Sequence, residues 1–378
     1  MAELVAPAGD LERLKIAFLY GADAVYCGGT VFGLRKFSPN FSIKDLQKGI
    51  SLGNEKGKRV YLVLNGFARN SDLDLLKSYL EEIEHLQPHA LIISDMGVSR
   101  LACRYTSIPI HISTQASVTN VYAAKLWKEA GAKRIVLARE LTLSEIQIIQ
   151  KNVPLEYEVF IHGSMCASYS GKCVISNYTA GRDSNRGGCI QTCRHSFDLL
   201  DPDTRAFLGS KKIMNARDLN TEALIPDLIK AGIHGFKIEG RMKTHLYLAA
   251  TVLAYRKAID KTKQTGIFYR SRRRYCTGGL EQRPFSESIQ YEDDASEESV
   301  FIGTVKDALP EEGLFIQVKN SFSKGDTLHL FNSGGDRVPF QTQEVWNMAG
   351  TPLQTTCPNS VVRLPWIEGS HPNALVFR

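Results

Sequence analysis

The sequence predicts a TIM-like (β/α)8 barrel followed by a small C-terminal all-β barrel domain, and three observations carry that expectation. Eight short, β-branched apolar runs alternate with longer amphipathic runs through about 260 residues, the arithmetic of eight βα units. No phosphate-binding glycine fingerprint follows any of these runs, which counts against a doubly wound sheet. From Val300 onward the pattern changes to short alternating runs separated by Gly and Asn turns.

The strand-like runs are LVAPAG (4–9), DAVYCGG (23–29), RVYLVLN (59–65), ALIISD (90–95), PIHISTQ (109–115), RIVLARE (134–140), EYEVFIHG (156–163) and GFKIEGR (235–241). Asp10 is a good N-cap for the first helical run, DLERLKIAFLYGA, directly after the Pro7–Gly9 turn. SDLDLLKSYLEEIEHL, VYAAKLWKEAGA and TEALIPDLIKAGI read as helices between later strands, and THLYLAATVLAYRKAIDK follows the eighth. The barrel is therefore expected over 1–262, with a Cys-rich loop at 163–195. A linker is expected over 263–299, basic at RSRRR (270–274) and acidic at EDDASEES (292–299). FIGTVKDA, GLFIQVKN, DTLHLFN and VVRLPW then build the β domain, 300–378.

A hydrophobic fraction of 43% is ample for a core, and a net charge of +6 leans mildly toward an anionic partner. The opening MAELVAPAGDLERL has acidic residues and no apolar run, unlike a signal peptide. No stretch approaches the roughly 18 apolar residues of a membrane span. A soluble, cytoplasmic protein is expected.

Polar residues alternate with apolar ones on several barrel strands. Lys237, Glu239 and Arg241 alternate with Phe236 and Ile238; His111, Ser113 and Gln115 alternate with Ile110 and Ile112; Glu158 and His162 share a face against Val159 and Ile161. Side chains alternate across a strand, so one set faces the helices and the other the lumen. Charged groups in a lumen that an inert barrel fills with aliphatics point to a site at the strands' C-terminal ends. An internal ion pair is the bland alternative for any single one of them. Arg35, Gln115, Arg139, Glu140, Lys237 and Arg241 are the candidate substrate-binding residues, suited to an anionic small molecule or a phosphate backbone. His162 and Glu239 are the candidates for moving protons.

Half of the eight cysteines lie in one stretch as Cys166-x6-Cys173-x15-Cys189-x3-Cys193. Thiolates gathered this way call for a soft metal or an iron–sulfur cluster, since each carries a charge that a cation must offset. Two disulfides are the alternative, disfavoured in a chain with no mark of secretion. Zinc sites usually carry Cys pairs two to four residues apart, and only Cys189 and Cys193 come near that. Four widely spaced thiolates suit a [4Fe–4S] cluster as well or better. Because the segment follows the seventh strand, it is expected as a loop over the barrel mouth. Cys27, Cys103, Cys276 and Cys357 are scattered and read as small buried apolar residues.

Walker, GxGxxG, GxSxG and HExxH motifs are absent. Pro88 breaks the helical spacing of His85 and His89. A Cys166–His162 nucleophilic pair fits by spacing alone, but Cys166 is better used in the four-cysteine set. RSRRR beside Tyr269 and Tyr275 suits a phosphate backbone, although solvated charge is its commoner use.

ELVAPAGDLERLKIAFLYGADAVYCGG (3–29), FGLRKFSPNF (32–41), EVFIHGSMCASYSGKC (158–173) and FKIEGRMK (236–243) together resemble the collagenase-like peptidase U-32 family. The resemblance runs along the whole chain. Despite the protease name, it implies an oxygen-independent hydroxylase with a [4Fe–4S] cluster on the cysteines matching Cys166, Cys173 and Cys189. It implies as substrate a tRNA wobble uridine with prephenate implicated, a cytidine of ribosomal RNA, or the ubiquinone ring. The fourth ligand varies between branches: some have a cysteine just after the pair matching Asp218-Leu219, where this chain has Asn220, and Cys193 is then the natural fourth. RRRYCTGGL (272–280) departs from the family's usual Asn-Arg-Gly-containing version. The leading expectation is 5-hydroxylation of a tRNA wobble uridine. A collagenase-like peptidase is one alternative, and a ubiquinone-ring hydroxylase subunit with a partner chain of the same family is another.

Overall fold

The structure, a computed structural model, describes residues 2–33, 40–261, 269, 271, 273–282, 288–292 and 299–378. Its strands begin with β1 (Glu3–Ala8), β2 (Ala24–Gly28), β3 (Arg59–Leu64), β4 (Ala90–Ile93), β5 (Ile110–Ile112), β6 (Arg134–Val136) and β7 (Glu156–Ser164). A hairpin of β8 (Phe197–Leu200) and β9 (Phe207–Lys211), then β10 (Asp218–Asn220), precede β11 (Gly235–Ile238). β1 to β7 pair in parallel in chain order, and β11 pairs in parallel with both β7 and β1. The sheet is thus a closed eight-stranded parallel barrel, as expected.

Helices α1 (Leu11–Leu19), α2 (Ile43–Glu55), α3 (Leu73–Leu86), α4 (Met96–Tyr105), α5 (Val121–Glu129) and α6 (Leu143–Asn152) connect the first seven barrel strands. A short α7 (Ile175–Ala180) lies in the cysteine segment, α8 (Ile225–Lys230) precedes β11, and α9 (His245–Ile259) follows it. Asp10 does begin α1, its Oδ1 accepting from the Arg13 amide at 2.8 Å. Ser42, Asp95, Asn120, Thr142 and Thr244 cap α2, α4, α5, α6 and α9 in the same way. Three strands stop three or more residues before the ends of their apolar runs. β5 stops at Ile112 because Ser113 turns the chain, its Oγ accepting from the Gln115 amide at 3.3 Å. β6 stops at Val136 and β11 at Ile238, so Arg139, Glu140, Glu239 and Arg241 stand in the loops past the strand ends.

The chain forms two compact units. Met1–Leu14, Asp23–Met242 and Ser271–Ala295 make the first, so part of the stretch expected as a linker returns to the barrel unit. Its described residues include β12 (Tyr275–Cys276), which pairs with β10. Lys15–Ala22, Lys243–Arg270 and Ser296–Arg378 make the second unit. There β13 (Phe301–Leu309), β14 (Gly313–Val318), β15 (Thr327–Phe331), β16 (Arg337–Gln341), β17 (Trp346–Asn347), β18 (Val361–Leu364) and β19 (Leu375–Phe377) form an antiparallel half-barrel, ordered β16-β15-β19-β13-β14-β18-β17. Ile302, Ile316, Leu328, Leu330, Val362 and Val376 fill its core, and α9 packs on β13 and β19. Among the described residues no helix is long and apolar enough to cross a membrane.

Candidate active site

The barrel lumen is built in two tiers. On β1 to β4 its wall is apolar and aromatic, with Val5, Ala24, Tyr26, Tyr61, Val63 and Ile92 in one buried cluster. Opposite them, the lower tier is an ion network. Arg134 opens β6 and pairs with Glu3 at 2.5 Å, Glu156 at 2.7 Å and Glu158 at 3.1 Å. The other carboxylate oxygen of Glu158 takes the Lys237 ammonium at 2.7 Å, which also lies 4.3 Å above the Tyr26 ring. Burial pushes the Glu158 pKa up, but Lys237 and Arg134 outweigh it and hold it down to about 2. Breaking such a buried pair costs roughly 3–5 kcal/mol. Lys237, expected to bind a substrate anion, is therefore committed to Glu158.

The upper tier, past the strand ends, is different. Tyr26 Oη donates to the Ile238 carbonyl at 3.0 Å and contacts Glu239 Oε2 at 3.1 Å. Burial, then the Glu239 charge, raise the Tyr26 pKa well above its ordinary value, so the phenol stays a donor. Arg241 is buried, its Nη2 donates to Asn40 Oδ1 at 2.7 Å, and its guanidinium lies where a Cβ on Gly28 would be. The absence of a side chain at Gly28 is what seats Arg241. Arg139 donates from Nη1 to the Ser164 carbonyl at 2.8 Å and its guanidinium sits 4.0 Å from the Phe160 ring centre. Glu140 accepts from the Ser170 amide at 2.8 Å and from its hydroxyl. Arg35 lies outside the described residues.

His162 does not continue the row of Glu158. The β7–β11 register shifts between Lys237 and Ile238, so the strict alternation fails there, and the imidazole packs 5.4 Å from the Tyr275 ring. Gln115 lies in a single 3-10 turn after β5, and its backbone oxygen packs against Gly171 of the cysteine segment.

That segment leaves β7 over the strands' C-terminal ends, as expected. Asn185 Nδ2 donates to the Cys173 carbonyl at 3.1 Å, the Ile190 amide to Ser176 Oγ at 3.2 Å, and Arg194 to the Met165 and Ala216 carbonyls. Arg186 ties the segment to Asp72 at 2.7 Å. Ser117 Oγ donates to the Ser170 carbonyl, and Gly171, at φ +74°, leaves no room for a Cβ against Gln115. All four cysteines are free thiols. Burial raises the Cys193 pKa, Arg194 opposes it, and Cys166, Cys189 and Cys173 each push it further up. The four sulfurs thus share one electrostatic neighbourhood. Among the described residues, however, no three His, Cys, Asp or Glu side chains are gathered closely enough to hold a single metal ion.

Beside Cys166 opens a cavity of about 460 Å³, walled by Arg139, Glu140, Met165, Tyr169, Arg217 and Cys276 among others. Arg217 and Cys276 escape a reading of the sequence, because β10 and β12 meet across more than fifty residues. Of the four scattered cysteines only Cys27 is buried; Cys103 and Cys357 are exposed, and Cys276 is partly exposed on the cavity wall. In the basic run, Arg270 and Arg272 lie outside the described residues. Arg273 is spent inside the fold, 2.7 Å from the buried Asp218.

Comparison with known proteins bears on both units. A Bacillus subtilis (strain 168) protein named tRNA hydroxylation protein P1 is 36% identical over 372 residues, covering 93% of this chain and 88% of its own. An Escherichia coli (strain K12) protein named as a 23S rRNA 5-hydroxycytidine synthase is 36% identical over 258 residues, 68% of this chain and 39% of its own. A Porphyromonas gingivalis protein named collagenase is 32% identical over 272 residues, 68% of this chain and 65% of its own. The family model described as peptidase family U32 matches residues 9–286, and that of the peptidase family U32 C-terminal domain matches residues 297–376. With both models matched in order, the chain belongs to peptidase family U32.

Proposed function

We propose that this chain is an iron–sulfur-dependent, oxygen-independent RNA hydroxylase that acts on a tRNA wobble uridine in the cytoplasm, with prephenate as a linked co-substrate. One observation carries the reading: the segment that holds the four cysteines stands over the barrel mouth, and one of them, Cys166, also walls a cavity large enough for a nucleotide. RNA hydroxylation is the part that the names of the Bacillus subtilis and Escherichia coli relatives support.

The donor set fits a cluster better than a single ion. A tetrahedral zinc, with Zn–S near 2.3 Å, needs sulfurs about 3.8 Å apart. The corners of a four-iron cube lie further apart, which suits four cysteines spread over 28 residues of one segment. Cys166, Cys173, Cys189 and Cys193 would hold it. A bound [4Fe–4S] cluster supplies one-electron redox chemistry. The rest falls to the chain's own groups. Arg139 and Arg241 orient anionic parts of the substrates, Glu239 or His162 moves the proton, and Tyr26 holds Glu239 in place.

Anaerobically purified protein should contain about four iron and four sulfide per chain, as a cubane on four thiolates requires. Stoichiometric zinc without sulfide would refute the cluster. Mass spectrometry of tRNA and rRNA from a deletion strain should show one missing hydroxylation at a tRNA wobble uridine. A complete set of hydroxylations in that strain would refute the RNA assignment.

A further inference from the structure

We infer that the cavity beside Cys166 is an oxyanion-binding subsite built on Arg139 and Arg217. Both arginines line the same space of about 460 Å³. The Nε of each is buried and has no hydrogen-bond partner among the described residues. Buried donors are almost always satisfied, and two arginines that line one cavity, each with an orphan Nε, point to an acceptor beside them.

The neighbouring acids do not supply that acceptor. Glu140 is turned to the amide and hydroxyl of Ser170, and Glu145 accepts from the Thr142 amide at 2.9 Å at the start of α6. Neither arginine has a carboxylate partner among the described residues. Arg139 is also held in a fixed pose, by the Ser164 carbonyl at 2.8 Å and the Phe160 ring at 4.0 Å. A guanidinium presents its N–H groups in a rigid planar fork that matches carboxylate and phosphate oxygens. Met165 and Tyr169 give the cavity an apolar wall for whatever carries the anion.

The shared chemistry is an oxyanion, and two sources would place it beside Cys166: the phosphate of a substrate nucleotide, or the carboxylate of a small co-substrate. The identity of that owner rests on the hydroxylase reading; the binding itself does not.

The test is calorimetry on the full, anaerobically purified chain at low salt, with uridine 5′-monophosphate, uridine, inorganic phosphate and malonate as probes. At least one charged probe should bind, and R217M should weaken it tenfold or more while iron and sulfide content stay unchanged. R217K, which keeps the charge but loses the planar fork, should fall between the two. The monophosphate binding at least tenfold tighter than uridine assigns the phosphate source; malonate binding without that preference assigns the carboxylate. Failure of all three charged probes on wild-type protein, or equal binding by folded R217M, overturns the subsite. A protein that binds a probe but leaves RNA unmodified keeps the subsite and loses the RNA reading.

Discussion

His111 packs edge-on against Tyr61 at 4.9 Å in the lower tier of the lumen, with Arg134, Glu158 and Lys237 facing it. Burial, then the Arg134 charge, hold its pKa down to about 3, so the folded protein keeps the imidazole neutral. The unfolded chain takes up that proton near pH 6.5. Stability is therefore lost as pH falls from about 6.5 toward 3, because only the unfolded state gains a proton. The loss between pH 7 and pH 5 should be about 2 kcal/mol. Urea midpoints at the two values measure it, and H111Q should flatten the dependence. An equal slope in the variant would place the acid sensitivity elsewhere. Glu158 acts in a lower window: its stabilisation is complete above the unfolded carboxylate range and is lost as pH falls through about 2.

At the level of elements, the cysteine segment is positioned by its seam with the turn after β5. In G171A the added methyl meets the Gln115 carbonyl, and φ +74° is strained for any L side chain. The barrel strands do not pass through this seam, so the variant should melt within a few degrees of wild type while, on the proposed cluster reading, its iron content falls by half or more. Full iron loading in G171A would show that the seam does not set the thiols. The eight strands themselves were legible because each carries its own apolar alternation. Their early ends at β5 and β11 were not, since Ser113 caps its own turn and the chain leaves the sheet before Glu239. The placing of the cysteine segment directly after β7 was legible from its position in the chain, whereas Arg139 and Glu239 read as strand residues and stand past the strand ends. Lys237 read as an anion binder because the sequence cannot show that Glu158 lies 2.7 Å away. Arg217 carried no local signal at all; a pairing of β10 with β12 brings it to the cavity.

For the whole molecule, α9 sets the limit on dissection. Twelve of its fifteen residues are buried, so it has no face suited to water. Its contacts with β13 and β19, and the 3.3 Å bond between His245 and Thr304, belong to the unit completed by Ser296–Arg378. A fragment ending at residue 295 should therefore aggregate on size-exclusion chromatography. A monodisperse fragment would show that α9 does not need the β strands of its unit.

The frame around the four thiols has one more consequence. Asn185, Ser176, Arg186, Arg194 and Ser117 fix the segment through hydrogen bonds and an ion pair, none of which involves a cysteine sulfur. In small zinc domains, metal binding is itself the folding energy, and removing the metal unfolds the chain. Here the frame does not depend on anything the sulfurs bind. On the proposed cluster reading, loss of the cluster to oxygen would leave a folded protein, and iron and sulfide delivered to it would restore it without resynthesis or a chaperone.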